Sequence, residues 1–192
     1  MRHLTSIALA ASLPLFGMTP AFAQSLEGKH VAFRAGGIPM VVYVSKERAF
    51  VYGYNAGGLI VELAKGSASR TKREKNGNTF VETATVSING GAMRVQWHGF
   101  GEMKRDKNCP EKVVGSDMNI VFDVEVSGAS CTASGSKRHI SRMGLCPSAI
   151  AFLRSRGIDH KDVTDATVPL PMKTCVVRSG PPSKNPLNSV PK

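Results

Sequence analysis

The sequence predicts a mainly β protein: an antiparallel meander closed as a small barrel, with a β-sandwich as the alternative architecture. It adds one short helix near the C-terminus and a disordered tail. Three observations lead there. Apolar residues recur at every second position through long stretches of the chain, which is the period of a half-buried strand. Gly and Asn clusters break those stretches at short intervals, as hairpin turns do. The four cysteines all lie in the second half of a chain that opens on an export-type leader, which reads as a disulfide framework.

The leader is expected over residues 1–23. Arg2 and His3 give a positive start, Ile7 to Met18 is mostly apolar, and Ala21-Phe22-Ala23 places small residues where a signal peptidase cuts. That apolar run falls short of the ~20 residues that span a bilayer. The expected organisation is therefore a signal peptide (1–23), a single β-rich domain (24–178) and a tail (179–192), in an exported protein of the periplasm or the exterior.

Within the domain, Val31 and Phe33 point to one face and His30, Ala32 and Arg34 to the other. Ala35-Gly36-Gly37 turns the chain, and Met40, Val42 and Val44 share the next inward face. After a turn at Lys46-Glu47, Phe50, Tyr52 and Tyr54 share a face, and Asn55 to Gly58 turns again. Leu59, Val61 and Leu63 then alternate with Ile60, Glu62 and Ala64. Lys65 to Lys75 is polar on both faces, and Asn76-Gly77 is a strong hairpin signal because both residues tolerate positive φ. Phe80, Ala84, Val86 and Ile88 share a face on which Glu82 is the exception. Met93, Val95 and Trp97 point inward, opposite Arg94, Gln96 and His98.

Residues 100–117 look like a long connection. Met118, Ile120, Phe122, Val124 and Val126 then form the clearest alternation, closed by Ser127-Gly128. Ala129 to Gly144 changes character and is rich in small and basic residues. Pro147 to Arg156 reads as a helix, with Pro suited to its first turn and Gly157 to its stop. Val168 to Val177 adds a final strand carrying Cys175. From Ser179 onward, four prolines without an apolar pattern predict disorder.

The cysteines Cys109, Cys131, Cys146 and Cys175 allow three pairings. Short loops favour Cys109–Cys131 with Cys146–Cys175. Ligands in close pairs, as zinc requires, are missing, so neither metal nor cofactor is expected.

For function, the balance is 25 Lys and Arg against 14 Asp and Glu. Such a surface favours polyanions. The candidate anion-binding residues are Arg70, Lys72, Arg73 and Lys75 on the basic hairpin, with Lys137, Arg138 and Arg142 further on. Anionic polysaccharide, lipid head groups and acidic protein are the expected partners. Nucleic acid is disfavoured, since no aromatics interleave with the cations. No catalytic motif occurs: His98, His139 and His160 lack metal-binding spacing, and no G-x-S-x-G elbow is present. The expectation is a non-enzymatic binding protein. A carrier with a pocket inside the barrel, lined by Tyr43, Tyr52, Tyr54 and Trp97, is one alternative. A hydrolase using dispersed residues such as His98, Asp117 and His160, or the acidic pair Asp123 and Glu125, is another.

Overall fold

The structure is a computed structural model that describes residues 25–53, 58–75, 77–103, 109 and 114–191. The expected signal peptide, Tyr54, the start of the turn at 55–57 and Asn76 lie outside the described residues. The strands are β1 (Lys29–Ala35), β2 (Ile38–Val44), β3 (Arg48–Gly53), β4 (Leu59–Glu62), β5 (Ser67–Arg73), β6 (Thr79–Asn89), β7 (Ala92–Glu102), β8 (Val114–Ser127), β9 (Ser130–Met143), β10 (Val163–Pro169) and β11 (Met172–Ser179). One helix, α1 (Pro147–Ser155), separates β9 from β10, and a 3-10 turn (Pro186–Ser189) follows β11.

These strands form one 11-stranded antiparallel sheet in the order β4-β3-β2-β1-β11-β9-β8-β7-β6-β5, with β10 also paired to β9. The sheet nearly closes into a barrel. Its ends, β4 and β5, approach where the Lys65 and Gly66 N–H groups both donate to the Glu62 carbonyl (2.9 Å each). Two meanders, β1–β4 and β5–β9, are thus joined through the last strand of the chain.

The hairpins follow from local chemistry. Between β1 and β2, Gly36 and Gly37 both hold positive φ (54° and 82°), the two-residue turn whose twist matches its strands. Alternation then sets the interior. Val31, Phe33, Met40, Val42, Val61, Val86, Met93, Val95, Trp97, Ile120, Phe122 and Val124 form one buried core. Phe33 and Phe122 meet edge to face across it, with centroids 5.0 Å apart.

Aromatic rings on the inward face of the sheet lie over glycines. A Cβ on Gly135, which faces Phe122 across the β8–β9 ladder, would stand 2.8 Å from that ring. Gly101 faces Phe80 in the same way, at 3.0 Å. Gly99 lies under the Trp97 ring. Glycine is poor strand material on its own, but here its bare backbone is the floor on which an aromatic packs.

Several expectations need correction. The stretch 129–144 is a 14-residue strand, β9. The long connection shrinks to residues 103–113, because β7 runs to Glu102 and β8 starts at Val114. On β3 the inward residues are Ala49 and Val51, while Phe50 and Tyr52 face outward. The interior is already filled by Phe33 and Phe122, so the smaller side chains of β3 take the inside. Phe50 packs beside Tyr43 on the outer surface instead, at 5.8 Å.

The disulfides pair Cys109 with Cys146 and Cys131 with Cys175, not the near neighbours that locality favoured. Loop lengths of 37 and 44 residues, against 22 and 29 for the local pairing, differ by less than a doubling. Such a difference costs under ~0.6 kcal/mol of closure entropy. Strand register outweighs that: Ser130 faces Val176, which sets Cys131 beside Cys175.

The segment after β11 packs where a disordered tail was expected. Gly180 N–H donates to the Gly28 carbonyl (2.7 Å), and the Gly180 carbonyl accepts from His30 Nδ1 (2.8 Å). Val190 is buried against the outward side chains Ala32 and Val41, with Tyr52 and Leu187 packed around them. The chain end therefore straps the outside of the barrel, so β1 and β2 are buried on both faces.

Two predictions follow from this packing. Gly135→Ala should cost about 1–3 kcal/mol through overpacking against Phe122, read as a lowered midpoint in urea. Replacing Cys131 and Cys175 by Ser should cost ~4 kcal/mol on the chain-entropy account. Hydrogen exchange should then accelerate first along β1 and β11, whereas removing Cys109–Cys146 should accelerate it around α1.

Candidate functional site

The seven basic residues singled out from the sequence do not form one patch. On the β5–β6 hairpin, Arg70 and Lys72 lie on the inward-facing side and Arg73 on the outward side, as their register with Glu82, Phe80 and Thr79 requires. Arg70 is held by Glu82, both Nε and Nη2 donating to the same carboxylate oxygen. That pair covers the barrel mouth beside Val51, Leu59 and Trp97. It also explains the one charged residue in the inward pattern of β6. Lys72 sits 3.7 Å from Glu74. Arg73 and Lys75 have no ion pair among the described residues.

On β9, alternation separates Lys137 from Arg138 and Arg142. Lys137 faces Ile120 and Val168 on the inward side. Arg138 and Arg142 are outward. Arg138 makes a two-pronged contact with Asp165 on β10 (3.1 and 2.6 Å). The hydrogen bonds from Arg138 hold the Asp165 carboxyl below the ordinary carboxylate range, and Asp165 in turn raises Arg138. Arg142 is left without an ion pair among the described residues.

What the sheet does bring together is an end. Register aligns Arg73, Thr79, Glu102, Gly115, Arg142 and Val163 in one row across β5 to β10. At ~4.8 Å per strand, Arg73 and Arg142 stand roughly 19 Å apart along it. Beyond this row lie the β5–β6 turn with Lys75, the end of β7, and α1. The sequence that joins β7 to β8 carries Lys104, Arg105, Lys107 and Lys112 against Asp106 and Glu111.

Helix α1 is fixed at both ends. Its N-cap, Cys146, is tethered to Cys109, and Pro147 opens the first turn. At its C-terminus Ile158 N–H donates to the Leu153 carbonyl and Gly157 N–H to that of Arg154 (3.0 Å each), with Gly157 at φ 72°. This is the Schellman ending that a glycine after the last turn permits. It swings Ile158 back beside Ile150, Arg154, Asp159 and His160 around a shallow open cleft of about 270 Å³. His160 is held by Asp162 (3.0 Å).

No residue of α1 is buried. Phe152 is 59% exposed and Ile158 52%, and Met103, Met143 and Val163 are exposed as well. Among the described residues, five of the seven large exposed hydrophobics therefore sit at this distal end, where Arg73, Lys75, Arg142, Arg154, Arg156 and Lys161 also lie. Arg156 lies over the Phe152 ring, 5.4 Å from its centroid. In the sequence Ile150 and Leu153 share a helix face that Phe152 flanks, a pattern that ordinarily marks a half-buried helix, and Ile158 falls beyond it. The available signal was the run Phe152-Leu153-Arg154-Ser155-Arg156, where apolar and cationic residues adjoin.

The alternative sites fare differently. His98 and Asp117 do meet, at 2.9 Å, on the outward face of β7 and β8. His160 belongs to the α1 region, and neither described cavity is lined by His98 or Asp117. Thr83, opposite His98, is engaged with Ser69 (2.8 Å). Asp123 is turned toward Arg94 (3.6 Å), away from any pairing with Glu125. The described core residues of the barrel are almost fully buried, and the cavity beside Val51 and Trp97 measures about 10 Å³, room for about one water. Tyr43 and Tyr52 line the outside. Among the described residues no cluster of His, Cys, Asp or Glu could hold a metal. No described helix is long and apolar enough to cross a membrane.

Comparison with protein families, with curated proteins and with solved structures finds no match to this chain.

The Arg138–Asp165 pair gives a pH prediction. Because Asp165 is lowered, its contribution is present above the ordinary carboxylate range and is lost as pH falls through that range and below. Both groups are exposed, so the effect is local. Arg138→Ala should move the Asp165 titration midpoint upward in a carboxyl NMR titration, with global stability little changed.

Proposed function

We propose that this chain is an exported, non-enzymatic binding protein whose distal end docks on an anionic lipid surface. One observation carries the reading: unpaired cations and large exposed apolar side chains occupy the same end of the sheet. An anionic polysaccharide would satisfy the cations and leave Phe152, Ile158 and Met143 in water. A lipid interface satisfies both, with apolar side chains entering the head-group boundary while basic residues meet phosphates. The cleft offers one cation, Arg154, to a head group, with Asp159 also in its lining.

Two disulfides support an oxidising compartment, as the expected leader also does. The basic hairpin contributes only Arg73 and Lys75, because Arg70 and Lys72 already have carboxylate partners.

Co-sedimentation with vesicles of phosphatidylglycerol and phosphatidylcholine, against phosphatidylcholine alone, tests the proposal across a salt series. Binding should need the anionic lipid and weaken with salt. Reversing Arg142, Arg154 and Arg156 to Glu should weaken it about a hundredfold or more, at ~1 kcal/mol per charge removed from the surface. Phe152→Ser should weaken it about tenfold. Equal binding to neutral vesicles, or no loss in the triple variant, would refute the reading. A variant with Arg70→Glu and Lys72→Glu should bind nearly as wild type.

A further inference from the structure

Among the described residues β4, β5 and β10 each have one edge that no strand pairs, and these edges are not equally protected. β4 is only four residues long, and β5 carries Arg70, Lys72 and Arg73 along its length. Short length and positive charge are how edges resist pairing with another chain. β10 has neither defence. Its sequence, Val-Thr-Asp-Ala-Thr-Val-Pro, is rich in β-branched residues and holds no Lys or Arg. Its one charge, Asp165, is an exposed carboxylate paired with Arg138. All seven residues are exposed, and among the described residues nothing pairs its outer edge.

The backbone groups on that edge can be assigned. Leu170 N–H donates to the Gly135 carbonyl and Met143 N–H to that of Asp162, so even-numbered residues turn their polar groups toward β9. Val163, Asp165 and Thr167 therefore turn theirs outward. Pro169, which has no N–H to leave unsatisfied, closes the exposed row.

We propose that two copies of this chain pair antiparallel through β10, about a two-fold axis at Ala166. In that register Asp165 and Thr167 of the second copy exchange both backbone hydrogen bonds. Thr164 stands opposite Val168, and Val163 opposite Pro169, whose carbonyl accepts. Every outward N–H finds an acceptor, and β-branched residues face one another. Of the two neighbouring two-fold registers, one sets Asp165 against Asp165, and the other sets Val163 against Pro171, whose carbonyl already accepts from Gly36. A two-fold axis normal to the sheet keeps inward faces on the same side, and the pairing is self-complementary as an isologous contact must be.

Sedimentation equilibrium of the oxidised full chain, without lipid, tests this separately from vesicle binding. A mass rising with concentration from monomer to dimer is expected. Thr167→Pro removes an N–H of the free edge and no bond to β9, and should weaken the dimer about tenfold or more. Ala166→Lys sets two ammonium groups face to face and should do the same, whereas Ala166→Thr should retain the dimer. Circular dichroism identifies any variant that fails to fold, and Ala166→Lys decides if Thr167→Pro does. A monomer mass at every concentration overturns the proposal, as does a dimer of unchanged affinity in Ala166→Lys.

Discussion

The seam between β9 and β11 is the constraint on which the barrel depends. β11 is the strand that joins the β1–β4 meander to the β5–β9 meander. Along β1 it makes a seven-residue ladder, but along β9 a single ladder pair, Val176 with Ser130. One pair cannot hold two half-barrels in register. The Cys131–Cys175 bridge lies immediately beside it and replaces the missing ladder with a covalent bond. The seam is thin because the same edge of β9 is shared: its distal part is taken by β10, running in nearly the same line, with Leu170 and Pro171 between the two strands. One β-strand edge thus serves both the closed barrel and its open extension.

That division explains the contrast between the two ends of the molecule. At the barrel end, strands are buried on one face by the interior and, for β1 and β2, on the other by the C-terminal strap. At the distal end, β10 and α1 have no buried residue and are held by a disulfide, a helix cap and ladder bonds. Burying Phe152 fully would be worth ~1.5–3 kcal/mol, and the fold leaves that energy unused. The stability of the barrel core and its bridges lets the other end keep apolar surface in water.

Legibility in the sequence followed how strongly each strand is pinned to an interior. Met118 to Val126 could be read directly, because every second side chain is large and apolar: Ile120, Phe122, Val124 and Val126 belong to the core and Met118 packs against it. β9 could not, because its inward residues are Cys131, Ala133, Gly135, Lys137 and His139. Small residues mark a strand here only in company with the ring of Phe122, which lies in another strand. The same holds for Glu82, an apparent error of pattern until Arg70 is placed opposite it. β3 offered two plausible inward sets, and volume already spent by Phe33 and Phe122 chose the smaller. Disulfide pairing was a matter of register, to which loop length is nearly blind. At the distal site, Arg142 and the hairpin cations were legible as charges. Their gathering with Phe152 and Ile158 required the row that runs across six strands.

Geometry also relates the lipid surface and the β10 pairing proposed above. Paired strands in an isologous antiparallel contact run in opposite directions, so the two distal ends point away from one another. Such a dimer does not set both ends on one flat surface, and the avidity of two linked sites on a single membrane is not available to it. It would hold two anionic surfaces apart instead, with the barrels between. Monomer and dimer would then differ in kind: the monomer would coat a surface, and the dimer would bridge two. The pairing edge meets the distal row only at Val163, while the cations of that row lie on β5 and β9, so self-association would convert coating to bridging and leave those cations free to meet lipid.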